Sequence, residues 1–467
     1  MENANVGRRK ALLSFLSAAG YFTTKPLLLK AQSDTSPQQR LSRRLEWFRD
    51  LKFGFMMHWG IYSQLGCIES WPLVWADRNW SNPSITTEQE MVAFRAKYGA
   101  LNRTFNPTNF DPKAWAAIAK RAGTRYVVFT TKHHDGFSMF DTGLSDYRIT
   151  SPDVPFSRDP RANVAAEVFN AFRAEGFGIG AYFSKPDWHS PDYWRPDRFA
   201  QDRNPNYDIT ADPERWARFV KFVHGQIKEL VTDYGKIDIL WLDGGWVRPP
   251  KQDIRMAEIV SMARGSQPDL IVVNRGDGEF EDYTTPEQEV PDKPLLDHPW
   301  ESCLTMGKQW SYKPDDDYKT GRQLIHLLVD IVAKGGNLLL NVGPRPDGTL
   351  PPTAVSRLAE IGDWMAINSE AIYGTRPVSP YRVGNVALTQ RGRSTYVIYF
   401  APEGKEAVPT TVGIPAFQPT PNAKAALLGS RAKITWRTQS TDTVLEVADA
   451  ARHSPPCRYA YVFKISA

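Results

Sequence analysis

Short, continuously apolar segments alternate with amphipathic ones along most of this chain. The apolar ones are KFGFMMHWG (52–60), YVVFTTKHHDGF (126–137), FGIGAYFS (177–184), IDILWLDGG (237–245), LIVVNR (270–275) and NLLLNVGP (337–344). A strand with one wet face alternates polar and apolar residues. These do not, so both faces are expected to be buried, as in a parallel sheet. Between them, residues 111–123, 163–176, 215–235 and 320–336 carry the helical period. Gly123, Gly176 and Gly235 are placed to close three of these helices in a left-handed conformation. Alternating strand and helix predicts an α/β fold. The reactive groups select a (β/α)8-like TIM barrel within that class. His58, Lys132-His133-His134-Asp135, Tyr182, Asp243 and Arg275 all fall at C-terminal strand ends, where a barrel gathers its active site. A doubly wound nucleotide-binding sheet is the alternative, but no Gly-rich loop follows the first strand. Fewer than eight strands are clear, and the helices between residues 245 and 320 are not legible, so an irregular barrel is expected.

From about Thr375 the texture changes to short alternating strands separated by turn residues. This predicts an antiparallel β-sandwich over 376–467 and leaves 40–375 to the barrel. At the other end, GRRKALLSFLSAAGYF pairs Arg8 and Arg9 with a short apolar run. Residues 1–32 read as an export signal of twin-arginine type, which implies a periplasmic or secreted protein. A polar linker, Ser33 to Gln39, follows, and the main domain is expected to begin near Leu41. No later segment has the 18 or so uninterrupted apolar residues of a membrane span. The net charge of +5 is scattered, which argues against a nucleic-acid partner. Cys67, Cys303 and Cys457 form no CxxC pair; one disulfide is open to them, a disulfide framework is not.

Asp243 and Glu287 are acidic residues that both follow buried strands, and glycoside hydrolysis needs two carboxyl groups facing one bond. The 15 tryptophans favour a carbohydrate ligand mildly, since aromatic faces pack on sugar C–H faces, although any single one is better explained by core packing. His133, His134 and Asp135 could instead hold a metal. Adjacent strand residues point to opposite faces, however, and there is no HExxH helix, so no metal is expected.

The motifs FGFMMHWGIYS, TTKHHDGFSMFDT, YFSKPDW, WLDGGW, TPEQEVP, PWESC and KGGNLLLNVGPRPDGTLP follow one another from about residue 45 to 375. In that order they resemble the α-L-fucosidases of glycoside hydrolase family 29. The resemblance implies a retaining enzyme with Asp243 as nucleophile. It implies Glu287 as acid/base, with Glu301 of PWESC as second candidate and Glu281, Asp282 and Glu289 nearby. The acid is expected to have a raised pKa, so that it starts protonated. His58, His133, His134, Tyr182 and Arg275 would contact the sugar or the nucleophile. Trp310 would lie near the 6-methyl group of fucose, and Trp71 and Trp75 match the pocket wall less closely. The implied partner is a fucosylated oligosaccharide or glycoconjugate, and no cofactor is implied. One departure is VNRGDG, which lacks the Asp that commonly precedes the arginine. A metal-dependent hydrolase built on His133 and His134, a non-catalytic glycan-binding barrel and a galactosidase on the same fold are the competing readings.

Overall fold

The computed structural model describes residues 36–276, 278–404 and 406–466. The export-signal reading of residues 1–32 therefore lies outside the described residues. Seven parallel strands form one sheet: β1 (Phe53–Met57), β2 (Tyr126–Lys132), β3 (Gly178–Ser184), β4 (Ile239–Asp243), β5 (Ile271–Asn274), β6 (Glu301–Thr305) and β7 (Asn337–Val342). Their order is β5-β4-β3-β2-β1-β7-β6. Six of them coincide with the apolar runs. β6 has no counterpart among those runs, because Glu301, Ser302 and Thr305 interrupt its apolar pattern.

Among the described residues no ladder joins β5 to β6. The gap is spanned by the irregular segment 282–288. On one side, Asp282 N–H donates to the Val272 carbonyl, at 2.9 Å. On the other, Glu301 N–H donates to Thr284 O at 2.9 Å, Cys303 N–H to Pro286 O at 3.1 Å and Gln288 N–H to Cys303 O at 3.0 Å. Pro286 has no N–H to give, so this stave cannot complete a ladder on both sides. The barrel thus consists of seven strands and one irregular stave, and that stave carries Glu287.

The helices Pro112–Ala122, Val164–Ala174, Pro213–Asp233 and Gly321–Ala333 occupy the four amphipathic segments. The first shows why. The Asp111 side chain accepts from the N–H groups of Lys113 and Ala114, Pro112 supplies the first helical residue, and Gly123 ends it at φ +91°. The helix Met256–Ser266 lies in the stretch that was not legible, and the helix Pro37–Leu51 opens ahead of Leu41, taking in part of the supposed linker.

Alternate strand residues fill the barrel, among them Met56, Tyr126, Val128, Tyr182, Trp241, Val273, Cys303 and Leu339. Phe48, from the first helix, joins them and stacks on Tyr283 at 4.2 Å between ring centroids. The interior is therefore a packed core closed at its N-terminal end, and only the rim at the C-terminal strand ends can take a ligand.

Eight antiparallel strands follow: β8 (Arg376–Val383), β9 (Val386–Arg391), β10 (Ser394–Phe400), β11 (Thr411–Ile414), β12 (Lys424–Leu427), β13 (Ile434–Gln439), β14 (Asp442–Val447) and β15 (Ala460–Ser466). They form two sheets, β12-β15-β10-β9-β8 and β11-β14-β13, over a core that includes Leu388, Val397, Ile414, Leu445 and Phe463. Residues Pro37–Ala467 make one compact unit. The three cysteines are free. Among the described residues no helix is long and apolar enough to cross a membrane.

Candidate active site

Asp243 is the last residue of β4. Its Oδ1 accepts from Arg275 Nη1 at 2.9 Å and its Oδ2 from the Tyr182 hydroxyl at 2.7 Å. Burial alone would raise its pKa. Burial is the largest single effect, but the Arg275 guanidinium and smaller contributions, among them the Tyr182 hydroxyl and the Gly244 N–H, together outweigh it and hold the carboxyl well below the usual range. Gly244 makes this turn possible. It sits at φ +87°, and a Cβ there would lie 2.3 Å from Pro186 Cδ. A Cβ on Gly245 would lie 2.8 Å from the Arg275 carbonyl. The paired glycines thus admit the backbone that brings Arg275 to Asp243.

The same guanidinium reaches the second carboxylate, with Arg275 Nη2 donating to Glu287 Oε2 at 2.5 Å. The two acids differ in access. The Asp243 side chain is 17% exposed and that of Glu287 42%. Asp243, Glu287, His58, His133, His134, Tyr182, Arg275, Trp71 and Trp310 all line one cleft of about 530 Å³.

His133 and His134 both face this cleft, with ring centroids 4.1 Å apart. The expectation of opposite faces fails because β2 ends at Lys132 and a tight turn follows, in which Gly136 N–H bonds to His133 O at 3.1 Å. The pleat that would separate the two side chains is already lost. Their outer nitrogens are held, His133 Nδ1 by Ser70 Oγ and His134 Nδ1 by Ser184 Oγ, each at 2.5 Å, while His58 Nδ1 lies 2.9 Å from Asn341 Oδ1. Burial lowers all three pKa values, to about 4 for His58 and His134. The imidazoles are neutral at physiological pH and can both donate and accept. His133, His134 and Asp243 do offer ligand atoms within 4.8 Å of one another. Arg275 already supplies the positive charge there, and a second cation beside it would be repelled.

Two residues fall elsewhere. Glu301 opens β6, at the closed end of the barrel, and is 0% exposed. It does not line the cleft. Trp75 packs against Phe199, at 5.9 Å, and under the Arg78 guanidinium, at 3.6 Å, rather than in the cleft wall.

The α-L-fucosidase family model matches residues 26–370. The chain belongs to the α-L-fucosidase family. The α-L-fucosidase of Dictyostelium discoideum is 32% identical over 359 residues, covering 73% of each chain. The human tissue α-L-fucosidase is 28% identical over 447 residues, covering 90% of this chain and 88% of the human one. Among solved structures, α-L-fucosidase isoenzyme 1 from Paenibacillus thiaminolyticus matches with a TM-score of 0.74 at 31% identity, over 91% of this chain and 99% of that one. A family 29 α-L-fucosidase from Bacteroides thetaiotaomicron, trapped as a covalent intermediate with 2-fluoro-fucosyl fluoride, matches with a TM-score of 0.71 at 25% identity, over 93% and 97%.

This α-L-fucosidase cleft contains groups that the sequence reading passed over. Glu69 is buried, sits at φ +37° and accepts from the Ser311 N–H at 2.6 Å. Burial, with smaller contributions from Glu287 and Asp243, pushes its pKa up to about 8. At neutral pH it is mostly protonated and can donate to a ligand oxygen. Trp246 adds another aromatic wall, with Arg203 4.9 Å from its ring. The sequence signal for Glu69 was a lone acid in an aromatic segment without helical or strand period. Arg203 had none.

Proposed function

We propose that this chain hydrolyses terminal α-L-fucosyl bonds with retention of configuration, through a fucosyl–Asp243 ester. The observation that carries this is the Arg275 fork, which binds Asp243 on one side and Glu287 on the other at the rim of the barrel. Arg275 and Tyr182 keep Asp243 ionised and oriented, as a nucleophile requires. Asp243 attacks the anomeric carbon while protonated Glu287 gives its proton to the departing oxygen. Glu287, then ionised, takes a proton from water, which attacks the anomeric carbon and releases Asp243. Its greater exposure suits it to this, because the leaving group lies outside the sugar pocket. The neutral histidines and Glu69 face the ring hydroxyls, and Trp310 and its neighbours give the 6-methyl group an apolar wall. The substrate class is a fucosylated oligosaccharide or glycoconjugate. Arg8-Arg9 and the apolar run after them support export to the periplasm or beyond.

The test is hydrolysis of aryl α-L-fucosides and aryl galactosides by wild type, Asp243→Ala and Glu287→Ala, with and without azide. Asp243→Ala should lose about three orders of magnitude in kcat or more. Azide should restore Glu287→Ala and yield fucosyl azide with the substrate's configuration. Failure of wild type on every fucoside, or its preference for the galactoside, would defeat the reading.

A further inference from the structure

Glu301 cannot touch a sugar, yet it is a buried carboxyl at the centre of a hydrogen-bond cluster. The Tyr126 hydroxyl donates to its Oε2 at 2.5 Å, Trp241 Nε1 to its Oε1 at 3.1 Å and the Tyr283 hydroxyl to the same oxygen at 3.4 Å. The donors come from β2, β4 and the irregular stave itself. Glu301 itself opens β6. It therefore cross-links the barrel interior beside the gap that no ladder closes. A buried carboxyl costs several kcal/mol of desolvation, and an apolar side chain would fill this core more favourably if packing were the only need.

What the cluster holds is the Trp241 indole. Its ring lies one interior layer below Asp243 on β4, since alternate strand residues face the same way. The Arg275 Cζ stands 4.8 Å from the centre of that ring, and the Tyr182 ring stacks on it at 5.2 Å and 24°. Arg275 and Tyr182 are the two side chains that bind the Asp243 carboxylate. We infer that Glu301 is a positioning residue, which fixes the rotation of Trp241 and through it the two groups that orient and ionise the nucleophile. This rests on the reading of Asp243 as nucleophile. It assigns PWESC a role in the reaction without contact with substrate.

The test compares kcat, KM and the pH profile of kcat/KM on an aryl α-L-fucoside for wild type, Glu301→Gln, Glu301→Met and Trp241→Phe. The Met variant keeps the volume but removes the acceptors; the Phe variant keeps a ring but removes the N–H. Both should lower kcat about tenfold or more, because small misplacements of reacting groups are costly. KM should stay within about threefold for the Glu301 variants, because Glu301 does not line the cleft; Trp241 does, so its variant is judged on kcat and the acidic limb. The acidic limb of kcat/KM should rise by about one pH unit as Asp243 loses its aligned partners. Glu301→Gln, which still offers Trp241 an oxygen, should recover most of the loss seen in Glu301→Met. An unmoved acidic limb in the Met and Phe variants would overturn the inference, as would azide rescue of Glu301→Gln, which would put Glu301 at the sugar itself. If Glu301→Met does not fold, Trp241→Phe decides alone. A wild type inactive on fucosides would sink the functional reading; an active one with an unmoved limb sinks only the role of Glu301.

Discussion

Arg275 sits between two carboxylates that need different protonation states at the start of the proposed reaction. Its charge holds Asp243 ionised in a site where burial alone would neutralise it. In the proposed mechanism Glu287 leaves the guanidinium to reach the leaving group, and its exposed position on the rim allows that. The histidines face the opposite demand, since a neutral imidazole pairs with sugar hydroxyls without bringing in a competing cation. Keeping them neutral has a pH signature. The folded pKa of His58 is lowered to about 4 from 6.5, so the unfolded chain binds the extra proton first. The contribution of the neutral ring to stability is present above pH 6.5 and is lost as the pH falls towards 4. Comparing denaturant unfolding of wild type and His58→Gln should show the wild-type advantage shrinking by about 2 kcal/mol between pH 7 and pH 5. A constant difference across that range would mean that His58 titrates alike in both states.

The ends of β2 and β4 and the stave between β5 and β6 decide which side chains meet. Each departs from regular strand geometry at the place where chemistry is required. The turn after β2 swings His133 and His134 into one cleft, and Gly244 bends the chain after Asp243 so that Pro186 can approach, while Gly245 admits the Arg275 backbone. Gly244→Ala should therefore harm activity and stability together. A left-handed alanine costs about 1–3 kcal/mol, and the clash with Pro186 displaces Asp243. The expected result is a lower unfolding midpoint and a fall in kcat of about tenfold or more. A fully active variant would show that the turn is not what sets the nucleophile. These elements were only partly legible. Continuous apolar runs exposed six of the seven strands, because residues buried on both faces leave a clear trace. β6 and the stave left none. Their polar residues are satisfied inside the fold by partners far away in sequence, such as Tyr126 and Trp241 for Glu301.

The C-terminal sheets are packed onto the barrel at several points. Trp364 Nε1 donates to Ala460 O at 2.9 Å, His326 Nε2 lies 2.9 Å from Tyr459 O, and the Tyr459 hydroxyl donates to Glu360 Oε2 at 3.1 Å. Tyr396, Ile398, Phe400 and Val462 belong to the same apolar cluster as the barrel helices. This arrangement fits a buttress better than a hinged module. Calorimetry of residues 37–467 should give a single cooperative transition, and a chain ending at residue 375 should aggregate, because Trp364 and His326 would lose their cover. Two separated transitions, or a soluble and active truncated enzyme, would show that the barrel stands by itself.

The sequence by itself determined the α/β class, the change to antiparallel strands near residue 375, and most of the groups at the strand ends. It did so because burial and helical period are local patterns, and because a parallel barrel sends every C-terminal strand end to one rim. Only the tertiary structure separated Glu287, which lines the cleft, from Glu301, which does not. Both are acids in neighbouring motifs, but one sits on a stave at the open rim and the other opens a strand at the closed end. Which end of a strand a residue occupies, and which distant donors surround it, depends on how the strands assemble. No local pattern of apolar and polar residues records that.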